Sequence, residues 1–245
     1  MRAERAEFID ADQTRHDAQV AQSIQRPSRG SGPVVVRLRP EEVHAPSGAY
    51  VRVLKPALDR LIAVTAAIVA AIPMVVIAGV VALSMGRPVL FRQQRIGRDG
   101  VTFEVLKFRT MRPDRRGRQL TVERDRRTTH KSAGDPRHTQ VGRFLRKYSL
   151  DELPQIFNVL RGDMSIVGPR PELPAVVERY PQGLERRHAV KPGLTGLWQI
   201  SARGDGPMHE HGEWDLAYVE RVSLRTDLSI MIRTPKAMLG ENAGA

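Results

Sequence analysis

The chain has 245 residues and a formal net charge of +12, enough length for one catalytic domain with an appendage but little room for two full domains. This positive balance indicates an anionic partner, which could be nucleotide phosphate, nucleic acid or anionic lipid. The absence of cysteine excludes disulfides, thiol catalysis and zinc bound by cysteine.

The first 49 residues form a polar extension in which prolines recur and periodicity is missing, apart from the short run "VVVRL". We expect residues 1–49 to be largely disordered, because they carry too few apolar side chains to form a core. No secretory signal is expected, since the first long apolar run begins near residue 61.

The apolar run "LIAVTAAIVAAIPMVVIAGVVALSMG", residues 61–86, contains no charged side chain and predicts a membrane helix. A straight helix of this length would reach about 39 Å, against a hydrocarbon core of ~30 Å. Pro73 lies in its middle, and arginine and lysine flank both ends, which the positive-inside rule assigns to the cytoplasm. We therefore predict a re-entrant hairpin bent at Pro73 within residues 50–86, with a kinked spanning helix as the alternative.

A β-hairpin is predicted next, because "PVLFRQQRI" and "VTFEVLKF" flank the turn signal "GRDG". Lys107 and Arg109 follow at the end of the second strand, where they could bind phosphate or remain exposed charges. The stretch from Arg87 to Lys147 carries a charge excess as large as that of the whole chain. Its central part, residues 113–137, is either an anion-binding segment or a solvated loop.

Asp151 and Glu152 stand side by side just before a Leu-Pro pair. With Asp151 as the N-cap, Pro154 falls in the first helical turn, where its missing N–H is not needed. An N-cap at Ser149 would instead put the proline in the fifth helical position, where that N–H is needed. The predicted helix then ends at Gly162 and carries an apolar stripe of Leu153, Ile156, Phe157 and Leu160.

At the positive end of the helix dipole, the Asp151 carboxylate would stay ionised and lie close to a bound phosphate. Spacing alone leaves open whether Asp151 is a cap or a nucleophile. Two neighbours favour catalysis. Arg170 is held between prolines in "GPRP", which suits a phosphate because little side-chain entropy is lost on binding. Arg143 and Arg146 precede the acids in "GRFLRKYSLDE".

Several long motifs in the same order resemble the bacterial sugar transferase family. They are "PVLFRQQRIGRDGVTFEVLKFRTM", "DPRHTQVGRFLRKYSLDELPQIFNVLRGDMSIVGPRPELP", "RHAVKPGLTGLWQISARG" and "YVERVSLRTDLSIMIRT". The family comprises the monotopic phosphoglycosyl transferases, also called polyprenyl-phosphate hexose-1-phosphate transferases. The resemblance covers roughly residues 50–235 and leaves out the first 49 residues.

The resemblance implies an α+β fold: a small mixed α/β catalytic core with a β-hairpin, residues 87–245, on the cytoplasmic face of the cell (inner) membrane. A re-entrant membrane helix and interfacial helices would anchor it. The implied reaction moves a sugar 1-phosphate from a nucleoside diphosphate sugar, usually a UDP-sugar, to a polyprenyl phosphate, releasing UMP and starting glycan assembly such as that of an exopolysaccharide. The resemblance allows a homodimer but does not require one.

The resemblance also implies roles for individual residues. Asp151 and Glu152 match the catalytic pair, with Asp151 attacking the phosphorus to give a covalent phosphosugar intermediate. Mg²⁺ would assist, with both acids as candidate ligands. The cations that would offset the charge of the donor phosphates are Lys107, Arg109, Arg146 and Arg170.

The chain departs from the common family pattern at Ile72, where a serine often precedes the proline, and at Trp198 and Ser201. The alternative function is a membrane-tethered basic protein that binds anionic lipid or nucleic acid without catalysis. Aromatic residues make up 5% of the chain and no helix-turn-helix pattern is visible, so nucleic acid is not expected as a partner.

Overall fold

The computed structural model describes residues 46–112, 137, 139–181, 183–201 and 211–239. Residues 1–45, expected to be disordered, and residues 113–136 of the basic stretch lie outside the described residues. Within them, the fold is a mixture of helices and short strands arranged in small sheets, as expected for an α+β protein.

The α-helices are α1 (Lys55–Met85), α2 (Gln140–Lys147), α3 (Ile156–Arg161), α4 (Pro174–Val177), α5 (Leu197–Ser201), α6 (Gly212–Glu220) and α7 (Leu224–Leu239). A π-helical turn at Tyr50–Leu54 leads into α1, and 3₁₀ helices occupy Arg98–Gly100, Leu150–Gln155 and Leu184–Ala189. The strands are β1 (Leu90–Ile96), β2 (Thr102–Phe108), β3 (Ser165–Val167) and β4 (Gly193–Thr195).

Among the described residues, one helix is long and apolar enough to cross a membrane, Tyr50–Met85. It continues without interruption through Pro73 and ends at Gly86, which has a φ of 74°. A proline inside a helix removes one hydrogen bond and strains the preceding turn, but its neighbours keep their own bonds. The backbone at Pro73 is thus helical, and the re-entrant path remains a prediction.

The predicted β-hairpin is confirmed. β1 and β2 pair antiparallel in a register that runs from Leu90 opposite Phe108 to Ile96 opposite Thr102. Asp99 and Gly100 in the connection have φ values of 55° and 78°, a conformation that aspartate tolerates and glycine adopts freely. A second sheet forms by parallel pairing of β3 with β4.

Helix α1 packs against two hydrophobic clusters of the same folded unit. Its first half contacts a cluster that includes Val159, Met164, Val167 and Ile230. Its second half contributes Val81 to a cluster with Phe108 and Leu145. Both halves of the apolar helix are therefore attached to the α/β core.

The helix after the acid pair begins differently from the prediction. Asp151 was expected to be the N-cap, which is wrong, because it lies inside the 3₁₀ helix Leu150–Gln155, and Ser149 precedes that helix in a left-handed conformation with a φ of 55°. A 3₁₀ helix accommodates Pro154 at the cost of one short-range bond. The end at Gly162, with a φ of 88°, is confirmed.

The predicted apolar stripe is wrong at one position. Phe157 is 42% exposed, whereas Val159, which the stripe left out, is buried in the core. The stripe assumed one continuous α-helix from residue 151. The change from 3₁₀ to α geometry at Ile156 rotates the later side chains relative to that expectation.

Candidate active site

The acid pair lies in the first turn of the 3₁₀ helix Leu150–Gln155, which follows the left-handed residue Ser149. The backbone N–H of Glu152 donates to the Ser149 carbonyl at 3.1 Å, which closes this turn. Asp151 is buried, at 8% exposure, and Glu152 is partly buried. The tight turn thus fixes two adjacent carboxyl groups at the margin of the core.

Two cations from other elements bind the Glu152 carboxylate. Lys107, from the end of β2, places its Nζ atom 2.7 Å from Oε1. Arg170, from the loop after β3, places its Nη2 atom 2.7 Å from the same oxygen. Residues 45 and 18 positions away from Glu152 in sequence therefore meet on one carboxylate oxygen.

This arrangement decides the charge states of the cluster. Burial on its own raises the pKa of Glu152, but Arg170 and Lys107 together hold it well below its usual range. Glu152 in turn raises the pKa of Arg170. Burial lowers the pKa of Lys107, although Glu152 acts in the opposite direction. Glu152 and Arg170 are thus ionised at neutral pH.

Arg170 is held by a loop of residues 168–171, which we call the arginine loop. The Gly168 N–H donates to the Thr195 carbonyl and the Gly193 N–H donates to the Pro169 carbonyl, both at 2.9 Å. A Cβ atom on Gly193 would stand 2.1 Å from the Gly168 nitrogen, so glycine is required for the close approach of the two backbones. The second sheet thus fixes the base of the loop that presents Arg170.

Arg109 does not join this cluster. It is buried at 8% exposure, and its Nη2 atom donates to the Met85 carbonyl at 2.7 Å and to the Gly86 carbonyl. The last carbonyls of a helix have no partner inside the helix, so Arg109 caps the end of α1. Arg146 lies in the last turn of α2, is half-buried, and its carbonyl accepts from the Ser149 N–H at 3.1 Å.

Sequence reasoning missed Asn158, a fully buried residue that connects α3 to β2. Its Nδ2 atom donates to the Glu104 carbonyl at 2.6 Å, and its Oδ1 atom accepts from the Leu106 N–H at 3.1 Å. These bonds join α3, which follows the acid pair, to β2, which carries Lys107. An asparagine among apolar residues of a short helix is the sequence signal that could have indicated this role.

The described residues contain no group of three or more histidine, aspartate or glutamate side chains that could hold a metal ion. Mg²⁺ is often held by one or two carboxylates together with substrate phosphates, so a cluster of three acids is not needed. The Glu152 oxygens already accept from Lys107 and Arg170. The two adjacent carboxyl groups, together with substrate oxygens, are a donor set of the kind that Mg²⁺ accepts.

The family model described as "Bacterial sugar transferase" matches residues 50–241, which include the membrane helix, the hairpin, the acid pair and the arginine loop. The chain belongs to the bacterial sugar transferase family. This sugar transferase is accordingly an enzyme of the transferase class, which disfavours the alternative of a binding protein without catalysis.

Curated relatives agree with this membership. The sugar transferase is 42% identical over 193 residues to the exopolysaccharide production protein ExoY of Sinorhizobium fredii, covering 75% of this chain and 84% of that protein. It is 43% identical over 191 residues to the UDP-glucose:undecaprenyl-phosphate glucose-1-phosphate transferase of Escherichia coli, covering 75% of this chain but 39% of that protein.

A third relative is the undecaprenyl-phosphate galactose phosphotransferase of Salmonella typhimurium, 41% identical over 161 residues. The match covers 63% of this chain and 34% of that relative. The sugar transferase thus spans most of ExoY but less than half of the two longer relatives.

Proposed function

We propose that this sugar transferase moves a sugar 1-phosphate from a UDP-sugar to a polyprenyl phosphate, releasing UMP and starting the assembly of a polysaccharide. The observation that carries the proposal is the cluster in which Lys107 and Arg170 meet on Glu152 beside the buried Asp151. The names of the relatives, two of which act on undecaprenyl phosphate, support the acceptor.

In the proposed first step, a carboxylate oxygen of Asp151 attacks the phosphorus that bears the sugar. The bond from that phosphorus to the bridging oxygen breaks, UMP leaves with the electron pair, and an acyl phosphate joins the sugar phosphate to Asp151. In the second step, an oxygen of the polyprenyl phosphate attacks the same phosphorus and frees the Asp151 carboxylate. The product is a polyprenyl diphosphate sugar.

Electrostatics limit this reaction, because a carboxylate must approach an anionic diphosphate. Phosphoryl transfer depends on in-line placement and on cations that offset the developing charge. Arg170 and Lys107 supply two such cations, and Glu152 keeps them together in the absence of substrate. Arg146 lies in the last turn of α2, just before the 3₁₀ helix that carries the acids, and is a third candidate.

Arg109 has a different proposed part. Because its guanidinium bonds the carbonyls at the end of α1, it ties the membrane helix to the end of β2, two residues after Lys107. We therefore assign Arg109 to the attachment of the membrane helix, with its phosphate-binding role retained only as the weaker proposal from sequence.

Mg²⁺ would be held by Asp151 together with phosphate oxygens of the donor. When bound, it would lower the negative charge that the Asp151 carboxylate meets as it approaches the phosphorus. Glu152 would orient Lys107 and Arg170, since both of its oxygens already accept hydrogen bonds from these residues.

The membrane helix is proposed to enter and leave the same, cytoplasmic, face. Near its start, Lys55 Nζ lies 2.7 Å from Asp227 Oδ2, and Asp59 Oδ2 accepts from Ser165 Oγ at 2.7 Å. Near its end, Arg109 binds the carbonyls of Met85 and Gly86. One folded unit that holds both ends of α1 favours a re-entrant path over a spanning one, and basic flanks favour the cytoplasmic side.

Helix α7 is the proposed interfacial helix. It exposes Leu224, Leu228 and Ile232 on one face, with Arg225 and Arg233 beside them. An apolar row bordered by arginine is typical of a helix that lies in the plane of an anionic membrane surface. Its Asp227 also binds Lys55, so α7 and the start of α1 would reach the membrane together.

The proposed function is tested by release of UMP from UDP-sugars. Purified protein in vesicles that contain polyprenyl phosphate and Mg²⁺ should release UMP from at least one member of a panel of UDP-sugars. The Asp151→Asn variant is the control and should release none. No release by the unaltered protein from any UDP-sugar, or equal release by the variant, would contradict the proposal.

A further inference from the structure

The backbone of the arginine loop is held by side chains as well as by the second sheet. The Pro171 carbonyl accepts from Arg95 Nη1 at 3.2 Å. The Arg170 carbonyl accepts from Arg187 Nη2 at 2.7 Å. Arg187 therefore bonds the main chain of the same residue whose side chain binds Glu152.

Arg187 is a buried guanidinium, at 2% exposure, in the 3₁₀ helix Leu184–Ala189. Its Nε atom donates to Asp215 Oδ2 at 3.0 Å, and its Nη1 atom donates to the Tyr180 hydroxyl. Asp215, on α6, has no exposed surface. The fork of the guanidinium thus joins three separate elements: α6, the segment that carries Tyr180, and the arginine loop.

A buried ion pair is a poor way to stabilise a fold, because desolvation of two charges offsets most of their attraction. Apolar side chains of similar volume would fill the same space at lower cost. They could not donate to the Arg170 carbonyl and the Tyr180 hydroxyl at once, whereas a planar guanidinium with five N–H groups can. The geometry of the fork therefore indicates a positioning role.

We propose that Arg187, oriented by Asp215, is a positioning residue that holds the backbone of Arg170 so that its guanidinium faces Glu152 and the donor phosphates. This inference rests on the proposed function. In this role Arg187 acts through Arg170, whose carbonyl it bonds. A displacement of about 1 Å at a phosphoryl-transfer site is enough to lower the rate on the order of 100-fold.

The first test replaces Arg187 by methionine, with Arg186→Met as the matched control. Arg186 belongs to the same 3₁₀ helix and pairs with Glu220 of α6 at 3.8 Å, but its side chain is 37% exposed. Arg187→Met should lower kcat for UMP release roughly 10- to 100-fold with KM nearly unchanged. Arg186→Met should leave both constants near those of the unaltered protein.

Arg187→Lys keeps the positive charge. It replaces Arg187→Met as the test variant if the methionine variant does not fold. A lysine can reach Asp215 or the Arg170 carbonyl but cannot form the fork, so kcat should still fall while the thermal midpoint stays close to that of the unaltered protein. Unchanged kcat in Arg187→Lys, or equal losses in the Arg186 and Arg187 methionine variants, would overturn the positioning role.

A double-mutant cycle distinguishes a loss of kcat that occurs through Arg170 from a loss caused by general disruption of the fold. If Arg187 acts through Arg170, adding Arg187→Lys to Arg170→Lys should lower kcat by less than about twofold beyond the single Arg170 change. Additive losses would overturn the inference while leaving the proposed function intact. Absence of UMP release by the unaltered protein would instead count against the proposed function itself.

Discussion

The Nη2 atom of Arg170 lies 2.7 Å from Oε1 of Glu152, and Lys107 Nζ lies at the same distance from the same oxygen. Lys107 precedes Glu152 in the chain and Arg170 follows it. Lys107 and Arg170 thus meet at one carboxylate, next to the second carboxyl group of Asp151, and this carboxylate holds both side chains in place. A diphosphate that enters the site meets cations already held in place, so little side-chain entropy is lost on binding.

Replacement of Arg170 by alanine should lower kcat/KM for UMP release on the order of 10²- to 10³-fold, since it removes a cation that offsets charge in the transition state. Arg92→Ala is the control, because Arg92 pairs with Glu104 at 3.4 Å through side chains that are 64% and 42% exposed. Exposed pairs contribute little, so its kcat/KM should be nearly normal. Equal losses in the two variants would contradict the assignment of Arg170 to the phosphate site.

The ion cluster also makes stability depend on pH. Lys107 and Arg170 hold the pKa of Glu152 below its value in the unfolded chain, about 4.3. The stabilisation is therefore complete above pH ~4.3 and is lost as the pH falls from there towards the lowered pKa of the folded protein.

This pH dependence can be measured with Glu152→Gln in detergent. The variant should unfold more easily than the unaltered protein by roughly 1–3 kcal/mol at neutral pH, and the difference should shrink below pH ~4.3. Glu104→Gln is the matched control and should cost less than about 1 kcal/mol, because its ion pair is exposed. A difference for Glu152→Gln that stays constant down to pH 3 would be inconsistent with this cluster.

The sequence was sufficient to predict structure where the determinants are local. The turn "GRDG" between alternating strands predicted the hairpin, and Gly162 predicted the end of α3. Adjacency in the chain also put Asp151 and Glu152 together. Where two segments meet across the fold, local patterns carried no information.

Arg109 illustrates what local patterns leave undecided. At the end of a strand it could have bound phosphate or faced solvent, but the carbonyls at the end of α1 accept its hydrogen bonds 23 and 24 residues away in sequence. The bond from Lys55 to Asp227 spans 172 positions. The start of the 3₁₀ helix was missed for a different reason, because capping rules describe α-helices and not the tighter turn that accommodates Pro154.

The path of α1 through the membrane can be tested with single cysteines, because the chain contains no native cysteine. Cysteines at Ala49 and at the exposed Arg98 flank the helix on its two sides. In intact cells, both should be shielded from an impermeant thiol reagent applied outside, and both should react after the cells are opened. Labelling of either one in intact cells would mean that the helix spans the membrane.

Pro73→Leu extends this test. Leucine restores the missing backbone N–H and removes the clash with the preceding turn, so the helix should straighten and favour a spanning path. Labelling from outside should then rise at one of the two cysteines. A substitution of Ile72 by leucine, one residue earlier on an exposed side of the helix, is the control and should leave the labelling pattern unchanged.

The last prediction concerns the chemical roles of the two acids: Asp151 is the nucleophile and Glu152 is not. Glu152 is bound by Lys107 and Arg170, which lower its nucleophilicity, so its part is to hold these two side chains beside Asp151. Protein incubated with a UDP-sugar labelled at the sugar phosphate, without acceptor lipid, should retain label on the peptide that contains residue 151. Asp151→Asn should abolish both label and turnover, because an amide is a poor nucleophile.

Glu152→Gln should lower turnover strongly yet still permit some label, because the attacking carboxylate remains while the cations lose their shared partner. The label should be stable until polyprenyl phosphate is added and should then move to lipid. Label found on Glu152 would exchange the two roles. Absence of any trapped label, with UMP released only when the lipid phosphate is present, would favour direct transfer between the substrates over a covalent intermediate.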